Sequence, residues 1–191
     1  ALCATLFWTS VAAGQPQPES EFEKAVWDEC KTVYVDWGGE ARWEKLAARG
    51  DLVPPLLRLL RYWQRSPSEH SGEQMVQLLD VIGSLRDPRA IPELIALIGP
   101  EHPYLTRSTA VDSLLATGDP DAAAAIEKAI RKTLESPATE QSGDYLQSLV
   151  SGCSRLGHVS AAHESLVPVL EFVADRNTVA AEVRDSARHT V

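Results

Sequence analysis

Cations are scarce in this chain: 18 lysines and arginines stand against 27 aspartates and glutamates, a formal net charge of −9. That deficit argues against sequence-independent binding to nucleic acid or to anionic membranes, which needs a positive surface. It leaves room for a local basic patch. Cysteine is scarce too. Cys3, Cys30 and Cys153 lie far apart and form no CxxC. They give little support for a disulfide framework and too few ligands for a structural zinc site. Long apolar runs are missing: a membrane-spanning helix needs about 20 such residues, and no stretch reaches that length. Catalytic signatures are missing as well. There is no HExxH, no GxSxG, no phosphate-binding loop and no GxGxxG before a helix. Nothing in the sequence calls for a cofactor or a metal.

What is present begins with an uncharged run, ALCATLFWTSVAA, ending in small residues at Ala12 and Gly14. Its length and its small-residue end read as the remnant of a signal peptide over residues 1–14. Gln15-Pro16-Gln17-Pro18 then opens a polar, extended linker over 15–20. On this reading the mature chain is periplasmic or secreted. The alternative is an anchor whose start lies upstream of Ala1.

From residue 21 onward the pattern is helical. Phe22, Val26, Cys30, Val33 and Trp37 are spaced by four, four, three and four, one face of a helix. Helices are expected near 21–36, 40–49, 51–65, 72–86, 88–98, 103–117, 120–135, 141–156, 161–174 and 179–191.

Internal repetition carries the most information. Under a shift of 38, Val53, Leu56, Leu57 and Leu60 fall on Ile91, Leu94, Ile95 and Ile98, and Pro54 falls on Pro92. Under a shift of 32, Leu78, Leu79 and Ile82 fall on Ala110, Val111 and Leu114, and Asp87-Pro88 falls on Asp119-Pro120. A third copy places Leu149, Val150 and Cys153 at the same slots 39 residues further on. Leu166, Val169 and Leu170 then match Ile126, Ala129 and Ile130, with one extra residue in the turn at Gly157-His158. Each unit is therefore two helices joined by a tight turn. Asp-Pro suits the start of the second helix: the carboxylate accepts orphan amide protons, and proline needs no donor in the first turn. The expected core is Val53, Leu56, Leu57, Leu60, Leu79, Ile82, Ile91, Leu94, Ile98, Val111, Leu114, Ile126, Ile130, Leu149, Val150, Cys153 and Leu166.

The segments LRDPRAIPELIALI, TRSTAVDSLLATGDPDAAAAI and AEVRDSARHTV resemble HEAT repeats, particularly the short bacterial HEAT-like kind. Arg107-x-x-Ala110 and Arg184-x-x-Ala187 carry that resemblance, together with Gly118-Asp119-Pro120. It covers about residues 40–191, and the third copy departs from it at Gly157-His158-Val159. The resemblance implies an all-α fold, an α-solenoid in which about four antiparallel helix pairs wind as a right-handed superhelix. The domain spans 21–191, with a Trp-rich cap over about 21–50. The final helix aligns with a first helix and has no second, so it either caps the stack or opens a longer array.

Function in such a fold lies on an extended surface. The main expectation is a non-catalytic scaffold for a protein partner. A spacer or docking module of a larger secreted or membrane-anchored protein is the alternative. Some HEAT-like proteins are bilin lyases, but no nucleophile or acid–base cluster here supports an enzyme. Arg58, Arg61 and Arg65 share one helix face and form the candidate partner-binding stripe. Glu93, Glu127, Glu164 and Glu171 are expected on exposed flanks of later second helices. Trp27, Trp37, Trp43, Trp63, Tyr34 and Tyr62 crowd the first third of the mature chain, either as packing or as a ligand groove. His158 and His163 sit about 140° apart on a helix, which is wrong for shared metal ligation. With His70, His102 and His189 they are read as surface residues. Cys153 fills an apolar slot and is read as a buried thiol.

Overall fold

A computed structural model describes residues 17–32, 40–67, 70–135, 139–154 and 161–191. The expected leader over 1–14, Cys3, Tyr34, Trp37, His158 and the turn of the third copy lie outside the described residues, as does the side chain of His163. Among the described residues every regular element is helical. The order is α1 Glu21–Cys30, α2 Glu40–Ala47, α3 Val53–Arg65, α4 Gly72–Leu85, a 3₁₀ turn Pro88–Ala90, α5 Ile91–Leu97, α6 Tyr104–Ala116, α7 Pro120–Glu135, α8 Glu140–Ser154, α9 Ala161–Asp175 and α10 Ala181–Thr190.

Local chemistry sets the ends. The Ser20 hydroxyl accepts from the Glu23 amide at the head of α1. Ser71 and Gln74 close a reciprocal cap at the head of α4. Asp51, Asp87 and Asp119 each accept the amide two residues on, so each opens a second helix. Two expected helices are cut differently. The first was expected to run to Asp36, but α1 stops at Cys30, and the Thr32 amide tightens onto the Glu29 carbonyl. The helix expected over 88–98 is split. Pro92 has no amide to give the Pro88 carbonyl, so the backbone tightens, with the Ala90 amide on Asp87, and restarts at Ile91.

The helices form two layers. First helices stack on one another: α4 on α6, α6 on α8, α8 on α10. Second helices do the same: α3 against the 3₁₀ turn, α5 on α7, α7 on α9. Every substantial contact joins elements at most three apart in chain order. This nearest-neighbour packing is that of an α-solenoid.

The repeat register is the core register. Leu56, Leu94, Ile126 and Leu166 occupy one slot in successive second helices, and all are fully buried. Leu78, Ala110, Leu149 and Ala187 do the same in the first helices. All the residues assigned to the core from the sequence are buried. First helices approach closely where side chains are small. A Cβ on Gly83 would lie 2.9 Å from the Ser113 Cα, and one on Gly152 would lie 2.5 Å from the Ser108 carbonyl oxygen.

Candidate interaction surface

The second-helix layer begins at α3, which carries the basic stripe. Arg58 Nε lies 2.7 Å from Glu23 Oε1, and its Nη1 lies 2.5 Å from Glu19 Oε2. Glu23 is buried, so this guanidinium supplies the cation for a carboxylate whose other oxygen accepts from the Glu19 amide. It also ties the segment before α1 to α3. Arg61 Nη2 lies 2.6 Å from Glu93 Oε1 and links α3 to α5. Arg65 is exposed, and no ion pair reaches it among the described residues. The stripe thus divides: two arginines brace the fold and one faces outward.

Further along the layer, Glu127 accepts from Arg131 Nε at 2.7 Å within α7. On α9, Glu164 and Glu171 are exposed as the sequence predicts. Phe172 is also exposed on α9, at 49 %, with the Arg176 guanidinium 5.2 Å from its ring centre. Sequence reading did not single it out. The signal was available: under the shift of 40 that aligns Leu166 with Ile126, Phe172 falls on Lys132, an exposed polar slot.

The opposite ends of the same helices are held by charge. Arg89 bonds both Asp51, at 2.6 Å, and Asp87, at 2.7 Å, and so bridges the starts of successive second helices. Hydrogen bonds from Arg89 hold both carboxyls below the ordinary aspartate value.

The connections between units border a row of clefts. One, of about 510 Å³, has Trp63, His70, Met75, Leu97, His102 and Tyr104 among its lining residues. His70 stacks on Trp63 with ring centres 5.0 Å apart, and burial pushes its pKa down. A second cleft of about 430 Å³ lies between Pro100, Lys132, Ser142 and Tyr145. The third, of about 670 Å³, shares Thr133, Thr139 and Ser142 with it and reaches Arg176 and Val183. These clefts are lined mainly by hydroxyl, aliphatic and aromatic groups.

The described members of the aromatic cluster, Trp27, Trp43, Tyr62 and Trp63, chiefly pack. Trp27 is buried, stacks on Tyr62 at 6.4 Å, and donates from Nε1 to the Pro55 carbonyl at 3.0 Å. Trp43 is half-buried against the core. Cys30 and Cys153 are free, buried thiols. Burial raises both pKa values, that of Cys153 to about 12. Among the described residues no group of three His, Cys, Asp or Glu side chains is placed to hold a metal ion, and no helix is long and apolar enough to cross a membrane.

Two layers of stacked helix pairs, a shared core slot and an outward second-helix face define a helical repeat scaffold. Residues 73–146, from α4 into α8, match the family model described as HEAT repeats. No curated protein and no solved structure matches the chain.

Proposed function

We propose that this chain is a non-catalytic scaffold whose second-helix layer holds a protein partner. The HEAT-repeat match carries this reading, because HEAT repeats commonly mediate protein interactions. The split of the basic stripe refines it. Arg65 is the residue of the three that is available to a partner; Arg58 and Arg61 act by fixing the surface around it. Residues 1–14 serve as an export leader, so the partner is met outside the cytoplasm.

Capture from a native extract, with cross-linking and mass spectrometry, tests the scaffold reading. Cross-links from α3, α5, α7 and α9 to one recurrent protein are expected. Recurrent capture with all cross-links on the first-helix layer, or no capture at all, would overturn it. Export is tested separately by fractionating cells that express the chain with its native start.

A further inference from the structure

Three carboxylates on α9 have no ion-pair partner among the described residues. Glu164, Glu171 and Asp175 are exposed at positions i, i+7 and i+11, which is one face of a helix. No ion pair reaches any of the three among the described residues, whereas Arg58, Arg61, Arg89 and Arg131 are all answered by carboxylates of this chain. Phe172 lies beside this strip and is 49 % exposed. One face of its ring already receives a guanidinium, that of Arg176 at 5.2 Å, which shows how a cation sits there. Pro168 lies inside the same helix. It removes the amide that would bond the Glu164 carbonyl, leaving a further acceptor at that turn.

We propose that the α9 face from Glu164 to Asp175 docks a basic polypeptide segment of a partner protein, rich in arginine or lysine, with one apolar anchor seated on Phe172. The proposal rests on the scaffold reading and names the chemistry of what the scaffold holds. Charge complementarity selects the occupant. Exposed ion pairs alone are weak and screened by salt, so the aromatic anchor is needed for a defined register. A second copy of this chain fits poorly, because it carries a net charge of −9 and six of its 13 arginines, Arg42, Arg58, Arg61, Arg89, Arg131 and Arg188, are paired with its own carboxylates. The strip is about 16 Å long, enough for about five residues of extended chain.

The test titrates the whole 191-residue chain with a fluorescent peptide of alternating arginine and leucine, at low and at high salt. Three variants are compared: Glu164→Lys with Glu171→Lys, Phe172→Ala alone, and a control, Glu44→Lys with Glu73→Lys, which makes the same change in net charge elsewhere. Thermal melts check that each remains folded. The α9 double reversal should weaken binding about tenfold or more, and Phe172→Ala about fivefold, as loss of a central anchor does. The control should change it less than about twofold, since its charges lie beyond a Debye length from the strip. Equal weakening by the control would mean that net charge alone drives binding, and the proposal would fall. Absence of binding by the parent chain would overturn it too. Native capture keeps the two readings apart: a partner retained by the α9 double reversal sinks the docking strip and leaves the scaffold standing.

Discussion

Arg107 Nε donates to Ser148 Oγ across 2.7 Å, joining α6 to α8 from a guanidinium that is itself buried. Its other nitrogens reach the carbonyls of His102, Pro100 and Asp144, and its plane lies 5.4 Å over the Tyr145 ring. One side chain thus fastens two first helices and the loop before them. Replacing it with alanine strands several buried acceptors and should cost about 2–3 kcal/mol in urea unfolding. Arg107→Lys should not restore the loss, because an ammonium cannot reproduce the planar fork. Arg184, at the same slot of α10, reaches Asn177 Oδ1 at 3.2 Å, while its buried Nε has no partner among the described residues. Arg184→Ala should cost less than about 1 kcal/mol, since little bonding is lost.

Glycine substitutions should differ in sign along α8. Gly152→Ala drives a methyl into the Ser108 carbonyl and the Val111 side chain. Gly83→Ala meets the Ser113 backbone in the same way. Each should destabilise by about 1–3 kcal/mol, as overpacking does. Gly143→Ala meets nothing within 4 Å. It should stabilise by about 0.5–1 kcal/mol through helix propensity. Chemical denaturation of the three variants reads the difference directly.

Leu94 is fully buried between helix pairs, whereas Leu105 is 59 % exposed. Leu94→Ala should cost about 2–5 kcal/mol by opening a cavity. Leu105→Ala should lie within about 0.5 kcal/mol of the parent. A Leu94→Ala chain that melts like the parent would mean that this slot is not the core.

This core was readable from sequence because a solenoid repeats its burial pattern, so each copy checks the next. Leu56, Leu94, Ile126 and Leu166 needed only an offset. The split before α5 was less legible: Pro88 and Pro92 look alike as helix starters, and only their spacing of four reveals the missing bond. The division of the arginine stripe was not legible at all. Arg58 meets Glu19 and Glu23 across more than thirty residues, and helical periodicity carries no information about such pairs. The clefts between units depend on loop shape, which the sequence does not encode by period.

Acid should weaken the Arg89 bridge. In the folded chain Asp51 and Asp87 titrate below their ordinary value, chiefly through hydrogen bonds from Arg89. The unfolded chain takes up those protons from about pH 4 downward. Stability is therefore fully present above that pH and lost as pH falls through the folded values. Arg89→Ala should flatten this acid limb in melts recorded against pH. His70 acts in a separate window. Burial lowers its pKa, so its contribution is complete above about pH 6.5 and declines as pH falls from there. His70→Phe, which keeps a ring on Trp63, should remove that slope.

The buried thiols should resist alkylation. Cys153 is pushed up to about 12 and is wholly covered, and Cys30 is raised as well. Little thiolate exists at neutral pH, and reagent has no path to it. Labelling at both positions should be slow in buffer and rapid in denaturant. Mass spectrometry of the digested, non-reduced chain should show no peptide pair joined through Cys30 and Cys153, which are both free.

Beyond the Arg61–Glu93 and Arg89 links at its start, the second-helix layer is fastened by different means from the first, and this gives the array a mechanical bias. Directional bonds pin the first helices: Ser113 Oγ to the Leu79 carbonyl at 2.8 Å, Arg107 to Ser148, and Gln147 Nε2 to Ser186 Oγ at 3.2 Å. Buried aliphatic side chains such as Leu94, Ile126 and Leu166 fill the interior along the second helices. Apolar contact has no preferred direction and tolerates sliding; a hydrogen bond does not. Under load the first-helix layer therefore behaves as the spine and the second helices from α5 to α9 as the compliant side. Small rotations at each step add along the chain, so the curvature of the whole array is an elastic variable that a bound load can set.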